Sequence, residues 1–232
     1  MKTLLFVLLL LPNFSFCQNL NIEFAVKYKN SSYRNELIIG DSITLWKDMP
    51  SEESTNVLDK AFFVKNHFNK TIYLSDFIFN KTFYVKDSLN NMKWELTNGT
   101  KIVLNQKCNA AITHFRGRKY IVYYAVNLPY SNGPWKFGGL PGLILEVKSD
   151  DDLYQFVAVK IIKNYTTSFK PANITNYKFI SWDDFVSKFI ITVDNTVKMV
   201  RTNADSDSKG YVKIDAPEII YPKAQEGTGI EY

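Results

Sequence analysis

Cysteine and histidine are the residue types in this 232-residue chain best suited to nucleophilic or metal chemistry, and the chain has two of each. Cys108 is followed six residues later by His114, whereas His67 lies on a separate predicted element. A thiolate beside an imidazole makes a nucleophilic pair or a soft site suited to copper. The sequence has no close-spaced cysteine and histidine pattern of the zinc-binding kind. We expect Cys108 to be a small buried hydrophobe, with a Cys108–His114 metal or nucleophilic site as the alternative.

Other signatures of catalysis are weak. The sequence contains no G-x-S-x-G nucleophile elbow, and its glycine-rich segment lacks the G-K-[ST] ending of a phosphate loop. The run Asp150-Asp151-Asp152 has the composition of a solvated turn and lacks the spacing of a calcium loop. Hydrolysis by a carboxylate pair stays open because Asp and Glu total 23. We predict no cofactor and no catalytic residue.

The segment from Gly133 to Glu146 is the most informative part of the chain, and it reads G-P-W-K-F-G-G-L-P-G-L-I-L-E. Proline fixes φ and lacks an N–H, and glycine permits backbone angles closed to other residues. The segment therefore predicts a fixed, tightly folded lead-in to a strand, which a ligand could approach closely. The simpler interpretation is a sharp corner that brings Leu140, Leu143 and Leu145 into the core.

Aromatic residues cluster in the strand before this segment, and they too have two interpretations. They belong to the core, or half of them line an apolar concavity that holds a hydrophobic ligand, as curved sheets do. The predicted ligand site combines the aromatic strand with the Gly-Pro corner. Its residues are Tyr120, Tyr123, Tyr124, Gly133, Pro134, Trp135, Gly139, Leu140, Pro141 and Gly142.

Short alternating segments separated by turns predict that β-strands dominate the elements that position this site. The first strand follows from Ile22, Phe24 and Val26 alternating with polar neighbours. Further strands are predicted over residues 37–46, 61–65, 71–74, 81–86, 111–115, 119–126, 143–148 and 153–162. The Asn98-Gly99 pair predicts the turn of a hairpin over residues 94–104, because it supplies the positive φ angles of a type I′ turn.

One long helix is predicted over residues 182–200. Ser181-Trp182-Asp183-Asp184 is a variant capping box that places acidic groups at the helix N-terminus. Apolar residues then recur at three- and four-residue steps, which predicts one face packed on the sheet. Residues 211–221 are a candidate closing strand. The expected fold class is α+β and β-dominated: a curved antiparallel sheet, open and half-barrel-like, with the long helix of the C-terminal region packed on its concave side.

The N-terminus has the features of a secretion signal. Lys2 precedes the apolar run Leu4 to Leu11, which is too short to span a bilayer, and Pro12 ends it. Cleavage after Cys17 would leave Gln18 as the new N-terminus. Lipid attachment to Cys17 is the alternative, disfavoured because bulky Phe16 precedes it. The expected organisation is a signal peptide over residues 1–17 and a single β-rich domain over residues 18–232, secreted or periplasmic.

Composition and charge limit the classes of partner that the protein could bind. The hydrophobic fraction of 46% suits a packed core, and no apolar run after the signal is long enough for a transmembrane helix. The formal net charge is +5, and the Lys and Arg residues are scattered among Asp and Glu. Nucleic-acid binding requires a clustered basic face, so we predict none.

Residues 139–144 spell G-L-P-G-L-I, and the chain resembles the GLPGLI family of exported proteins of Bacteroidetes-type bacteria. The resemblance extends over residues 94–148, through Lys107-Cys108-Asn109, Arg116-Gly117-Arg118 and the Gly133-Pro134 turn. Tyr123 departs from the family, which more often has Trp there. The family is largely uncharacterised, so the resemblance implies an exported β-rich protein without naming a ligand.

The leading functional hypothesis is a non-enzymatic cell-envelope protein that binds a hydrophobic ligand or an envelope protein. The alternative is a secreted hydrolase, or a redox or metal-binding protein, that uses Cys108. The sequence does not specify an oligomeric state.

Overall fold

β-Strands make up most of the computed structural model of the protein. The structure describes residues 19–49, 63–89, 92–165, 174–203, 211–213, 218–221 and 229–231. The predicted signal peptide, residues 1–17, lies outside these residues, as does most of the polar loop after β3. The β-dominated α+β class predicted from the sequence is confirmed: the main sheet is open, has 12 strands and carries a single long helix.

The sheet has the strand order β12-β6-β5-β4-β3-β2-β1-β11-β10-β9-β8-β7. Neighbouring strands are antiparallel except for the parallel pair β12–β6. The strands are β1 (Leu20–Tyr28), β2 (Ser31–Ile39), β3 (Ile43–Asp48), β4 (Phe63–Asn66), β5 (Thr71–Ile78), β6 (Lys81–Ser88), β7 (Glu95–Val103), β8 (Gln106–Phe115), β9 (Arg118–Ala125), β10 (Leu143–Ser149), β11 (Tyr154–Lys163) and β12 (Phe179–Ser181).

Local sequence patterns account for most of these strands. In β1, the alternating residues Ile22, Phe24 and Val26 are all buried, as the period of two requires. The single strand predicted over residues 37–46 is two strands, because the chain turns at Gly40-Asp41 between β2 and β3. The strands predicted over residues 111–115 and 119–126 belong to β8 and β9, which are joined by a tight turn with positive φ at Arg116 and Gly117.

The predicted Asn98-Gly99 hairpin turn is wrong. Both residues lie inside β7, where the pairing with β8 shifts register between Leu96 and Thr100. The hairpin turns instead at Leu104 and Asn105, with φ values of 48° and 60°. Pairing along the whole of β8 outweighs the local turn preference of Asn-Gly, which is absorbed as an irregularity in the strand.

Contacts across the sheet show how strongly it curves. Strands β4 and β9 are six strand-to-strand steps apart, which is about 29 Å in a flat sheet. Yet Phe137 contacts both strands: its carbonyl accepts a hydrogen bond of 2.8 Å from Lys65 on β4, and its ring centroid lies 5.0 Å from that of Tyr120 on β9. One segment can touch both only if the sheet bends around it.

The helix α1 (Trp182–Asn203) begins immediately after β12, at the predicted place. The Ser181 hydroxyl caps it, since Oγ accepts a hydrogen bond of 3.0 Å from Asp184 N and donates one of 2.7 Å to Asp184 Oδ2. Phe185, Phe189, Val193 and Val197 form its buried face. The Phe185 ring packs edge-on against Phe83 of β6, which fixes the helix at the β6 end of the sheet.

Two short strands, β13 (Tyr211–Lys213) and β14 (Gly229–Glu231), pair with each other and not with the main sheet. Of the predicted closing strand over residues 211–221, the described residues 211–213 are a strand and 218–221 are not, while 214–217 fall outside the described residues. A single-turn 3-10 helix covers Ile174–Asn176. None of the helices in the described part of the chain is both long and apolar enough to cross a membrane.

Candidate functional site

The Gly-Pro segment, residues 128–142 between β9 and β10, packs against the interior of the curved sheet. Phe137 and Leu140 are 0% and 2% exposed. The segment is closed on itself by backbone hydrogen bonds of 2.9 Å from Leu143 N to Leu128 O and from Ile144 N to Asn132 O. The segment therefore fills the inside of the sheet as a plug, and it contacts β4 through Lys65 and β6 through Asp87.

The side chain of Lys65 holds the Gly-Pro segment from β4. Its ammonium donates to the carbonyls of Gly133 at 2.7 Å and Phe137 at 2.8 Å, and to Asn132 Oδ1 at 3.1 Å. Lys65 is fully buried, and burial lowers the pKa of its amine well below the ordinary value. One lysine therefore satisfies three acceptors in a turn that has no strand partner of its own.

Asn132 extends this polar contact to the neighbouring strand β3, where Thr44 pairs with Lys65. Its Nδ2 donates to Thr44 Oγ1 at 2.7 Å, and its Oδ1 also accepts from the Gly133 N–H at 2.9 Å. His67 Nε2 lies 2.9 Å from the same threonine oxygen. Burial and the nearby Lys65 charge lower the pKa of His67, so its imidazole is neutral at pH 7 and acts as a structural hydrogen-bonding group.

A buried cluster of four charges lies at Lys136, farther along the same segment. Lys136 Nζ is 2.8 Å from both carboxylate oxygens of Glu218 and 3.1 Å from Asp87 Oδ2. Arg116 pairs with Asp87 at 2.6 Å and also with Glu218. Burial alone would raise the pKa of Asp87, but Lys136 and Arg116 hold it below its ordinary value. Two cations and two anions thus balance one another out of solvent.

The first residue of the helix, Trp182, also contacts both cations. Its ring centroid is 3.5 Å from the Arg116 guanidinium carbon and 4.0 Å from Lys136 Nζ. Desolvated cation–π contacts of this kind contribute up to about 2 kcal/mol. The four-charge cluster therefore joins the Gly-Pro segment, the β8–β9 turn and the start of α1.

The predicted ligand-site residues are together in space, but most of them are enclosed. Buried members are Tyr120, Tyr124, Gly133, Pro134, Leu140 and Gly142, while Tyr123 and Trp135 are half-buried and Gly139 and Pro141 are exposed. The simpler interpretation of the segment agrees with the burial of Leu140, Leu143 and Leu145 at 2%, 0% and 0% exposure. A ligand would have to displace this packing, so ligand binding by these residues stays a prediction.

Two glycines explain why the segment has its composition. A Cβ on Gly142 would lie 2.4 Å from the backbone oxygen of Ala125, closer than any real contact. Gly139 has φ +88°, a conformation that side chains disfavour. The corner thus needs glycine for close packing and for backbone angle, without any ligand.

Cys108 and His114 do not form a site. They lie on one strand, β8, and six residues at about 3.4 Å each put them about 20 Å apart. Cys108 is 0% exposed, and burial raises the pKa of its thiol, whereas His114 is exposed. The alternative hypothesis, a metal site or nucleophilic pair shared by Cys108 and His114, is therefore wrong. Within the residues that the structure describes, His, Cys, Asp and Glu form no group placed to hold a metal ion.

Asp76 on β5 is a second carboxylate whose environment shifts its pKa. Its Oδ1 accepts a hydrogen bond of 2.8 Å from Phe77 N. Burial raises its pKa to about 6, against the opposing effect of Lys136 and Arg116. Asp76 therefore changes charge at about pH 6, beside the four-charge cluster.

An open groove lies between the β5–β6 hairpin and α1, and we call it the hairpin–helix groove. Its volume is about 440 Å³, within the range of ligand sites. Phe79 at its edge is 51% exposed and Ile191 on the helix is 60% exposed. The complete lining is Ile78, Phe79, Asn80, Lys81, Phe83, Lys188, Ile191 and Thr192.

The fold is that of a β-dominated α+β domain with an open, strongly curved sheet. One helix packs at the β6 end of this sheet, and the Gly-Pro segment fills its inner side. Residues 40–185 match the model of a family described as N-glycanase peptide, N-terminal domain (PNGase F-II). The chain belongs to this family. The matched region includes the whole Gly-Pro segment and the start of α1.

Solved structures agree with this assignment at the level of the fold. The chain resembles PNGF-II in two crystal forms, with TM-scores of 0.56 and 0.54 at 15% and 16% identity. The similarity covers 72% and 71% of this chain but only 32% and 31% of PNGF-II. MucB in complex with MucA, at 11% identity, covering 69% of this chain and 54% of MucB with a TM-score of 0.36, is too distant to inform the fold. No curated protein sequence matches the chain.

Several residues of structural or functional interest were not found from the sequence. Lys65 and Asn132 meet across 67 positions and Lys136 and Glu218 across 82, so no local pattern marks them. The hairpin–helix groove did have a signal, because Phe79 occupies a turn where an apolar side chain is unusual.

Proposed function

We propose that the chain is a non-enzymatic exported binding domain of the cell envelope, and that it binds an amphipathic ligand or partner in the hairpin–helix groove. The observation that carries this proposal is the gathering of half-exposed apolar side chains around one cavity. Phe79 and Ile191, which both line the cavity, are 51% and 60% exposed. Clustered apolar exposure of this kind marks interaction sites more often than isolated residues do.

The buried Gly-Pro segment supports the same proposal, because its role is structural and it leaves ligand binding to the groove. Its side chains and backbone are used to fill the curved sheet and to anchor α1 through Trp182. The segment then positions the helix that forms one wall of the groove, instead of contacting the ligand itself.

The binding proposal is tested with Nile red, an uncharged apolar dye. We expect its fluorescence to rise on addition of the wild-type protein and to stay low with Ile191→Asp, because a charge in the groove wall opposes apolar binding. Phe68→Ser is the matched control, since Phe68 is 92% exposed but lies in the turn at the other end of β5. No binding by the wild type, or equal loss in the control, would overturn the proposal.

Export is the second part of the proposal and rests on residues 1–17. N-terminal sequencing of protein secreted by the native host should begin at Gln18. A protein that keeps its first 17 residues, or that carries lipid on Cys17, would contradict simple cleavage. We also retain the GLPGLI resemblance as a proposal, since its motif lies inside the region matched by the N-glycanase model.

Family membership favours one second candidate, a role in N-glycan hydrolysis. The chain spans about a third of PNGF-II, so the activity of that whole protein does not transfer with the fold. Incubation of the purified chain with a denatured N-glycosylated protein, followed by mass spectrometry of released glycans, tests it. Cys108→Ala should leave any release unchanged, because the thiol is enclosed.

A further inference from the structure

The floor of the hairpin–helix groove is apolar and offers few hydrogen bonds. Ile78 is buried and Phe83 is half-buried beneath the cavity. The Thr192 hydroxyl is already used, because it donates to Lys188 O at 2.7 Å. A sugar or a nucleotide would leave most of its polar groups unpaired on this floor, which makes such ligands unfavourable.

The rim of the groove is basic. Lys81 on the hairpin and Lys188 on the helix both line it and both are exposed. The Lys81 ammonium lies 5.3 Å from the centroid of the Phe83 ring, over the floor. Within the described part of the chain, neither ammonium has a carboxylate at ion-pair distance. The groove therefore presents two available cations above an apolar surface.

Phe79, at the exposed edge of the groove, has an unfavourable backbone conformation. Its φ is +51°, a region that suits glycine or asparagine and is rare for a bulky side chain. Trp135 also has a positive φ, but its ring packs against Phe115 and Phe137. Phe79 is half-exposed instead. Phe79 is thus unfavourable in backbone and in solvation, and it also lines the groove, which points to a function at its position.

We infer that the ligand of the groove is a free long-chain carboxylate. Its head group pairs with Lys81 and Lys188, and its alkyl chain lies along Phe79, Phe83 and Ile191. This inference rests on the proposed function, because it names the ligand class of the same groove. The opposite charges of head group and rim select an anion, and the apolar floor selects an apolar tail.

The test uses dodecanoate, below its micelle concentration, to displace Nile red from the full mature chain. Dodecyltrimethylammonium is the matched probe with the same tail and the opposite charge. We expect dodecanoate to bind about tenfold more tightly than the cation, and the difference to shrink as salt is added. Isothermal calorimetry gives the dissociation constants directly.

Variants locate the charge selection. Lys81→Met with Lys188→Met keeps the apolar stems and removes both ammonium groups, so we expect dodecanoate affinity to fall about tenfold with Nile red binding unchanged. Lys86→Met is the control, since Lys86 is exposed on the same strand and lies over Tyr73 instead.

Three results would overturn the ligand class while leaving the groove as a Nile red site. They are equal displacement by the anion and the cation, unchanged dodecanoate affinity in the double variant, and flotation with phosphatidylglycerol vesicles in the absence of dodecanoate binding. Failure of wild-type protein to bind Nile red would instead remove the proposed function itself. The salt dependence on wild-type protein keeps the test decisive if the double variant does not fold.

Discussion

At the scale of single residues, Gly142 is the clearest case of a residue type dictated by packing. A methyl group there would meet the Ala125 carbonyl at 2.4 Å, and backbone cannot move aside as a flexible side chain does. Gly142→Ala should lower the free energy of unfolding by about 3 kcal/mol or more, measured by urea denaturation. Pro141→Ala, at the exposed neighbouring position, should change it by less than about 1 kcal/mol. Equal stability of the two variants would refute the packing argument.

Asp76 provides a residue-scale prediction that depends on pH. Its pKa is about 6 in the folded protein against 3.8 ordinarily, so between these values the folded state holds a proton that the unfolded state has lost. Stability due to this group therefore falls as pH rises through that window, and the penalty is complete above it. Asp76→Asn removes the penalty and can still accept the Phe77 hydrogen bond.

Thermal or urea unfolding of Asp76→Asn tests this sign. At pH 8 the variant should be more stable than the wild type by up to about 3 kcal/mol, and the gain should vanish below about pH 4. The exposed Asp150→Asn serves as the comparison and should show no such pH dependence. A variant that is less stable at pH 8 would show that Asp76 is favoured as a charged group.

At the scale of elements, the helix could be predicted because its signals are local. Ser181 and Asp184 are three residues apart, and the buried stripe follows the helical period. The hairpin at Leu104 and Asn105 could not, because leucine is a poor predictor of positive φ and the pairing of β7 with β8 decides the turn. Local patterns identify elements, whereas partners distant in sequence set their ends.

The same reasoning separates the predictable and unpredictable parts of the candidate site. The sequence predicts that the Gly-Pro corner meets the aromatic strand, because the corner directly follows that strand in the chain. That Lys65 and Asp87 reach it from β4 and β6 depends on the curvature of the whole sheet. A curved sheet could be predicted from the sequence, but which distant strands the curvature brings together could not. The groove left a local sign, Phe79 in the β5–β6 turn, which by itself does not place the helix beside the hairpin.

The helix cap offers a test at the element scale. Ser181→Ala loses the hydrogen bond to Asp184 N and should destabilise the protein by about 1 kcal/mol in urea denaturation. Ser187→Ala is the internal control, since the Ser187 hydroxyl bonds only to Asp183 O one turn back and alanine favours helix. A larger effect at Ser187 than at Ser181 would argue against the capping role.

At the scale of the whole molecule, the four-charge cluster joins parts of the sheet that are far apart in strand order. β6 and β8 are separated by nine strand-to-strand steps, about 43 Å if the sheet were flat. Arg116, in the turn after β8, nevertheless contacts Asp87 of β6 at 2.6 Å. Hydrophobic filling bends the sheet, and these ion pairs fix where its distant strands meet.

Asp87→Asn tests this role, because among the described residues it leaves Glu218 as the one carboxylate at ion-pair distance from Lys136 and Arg116. An uncompensated buried charge should cost about 3 kcal/mol at pH 7. The pKa of Asp87 is below its ordinary value in the folded state, so the stability it contributes is present above pH 3.8 and is lost as pH falls below that value. The penalty of the variant should therefore shrink at pH 3.

A double-mutant cycle with Lys136→Met distinguishes charge balance from simple loss of packing. The pair Asp87→Asn with Lys136→Met leaves Arg116 facing Glu218, one cation against one anion. Urea denaturation at pH 7 should show the double variant to be less destabilised than the sum of the two single variants by about 1 kcal/mol or more. Strict additivity would mean that the four charges act independently and that side-chain packing alone holds the distant strands together.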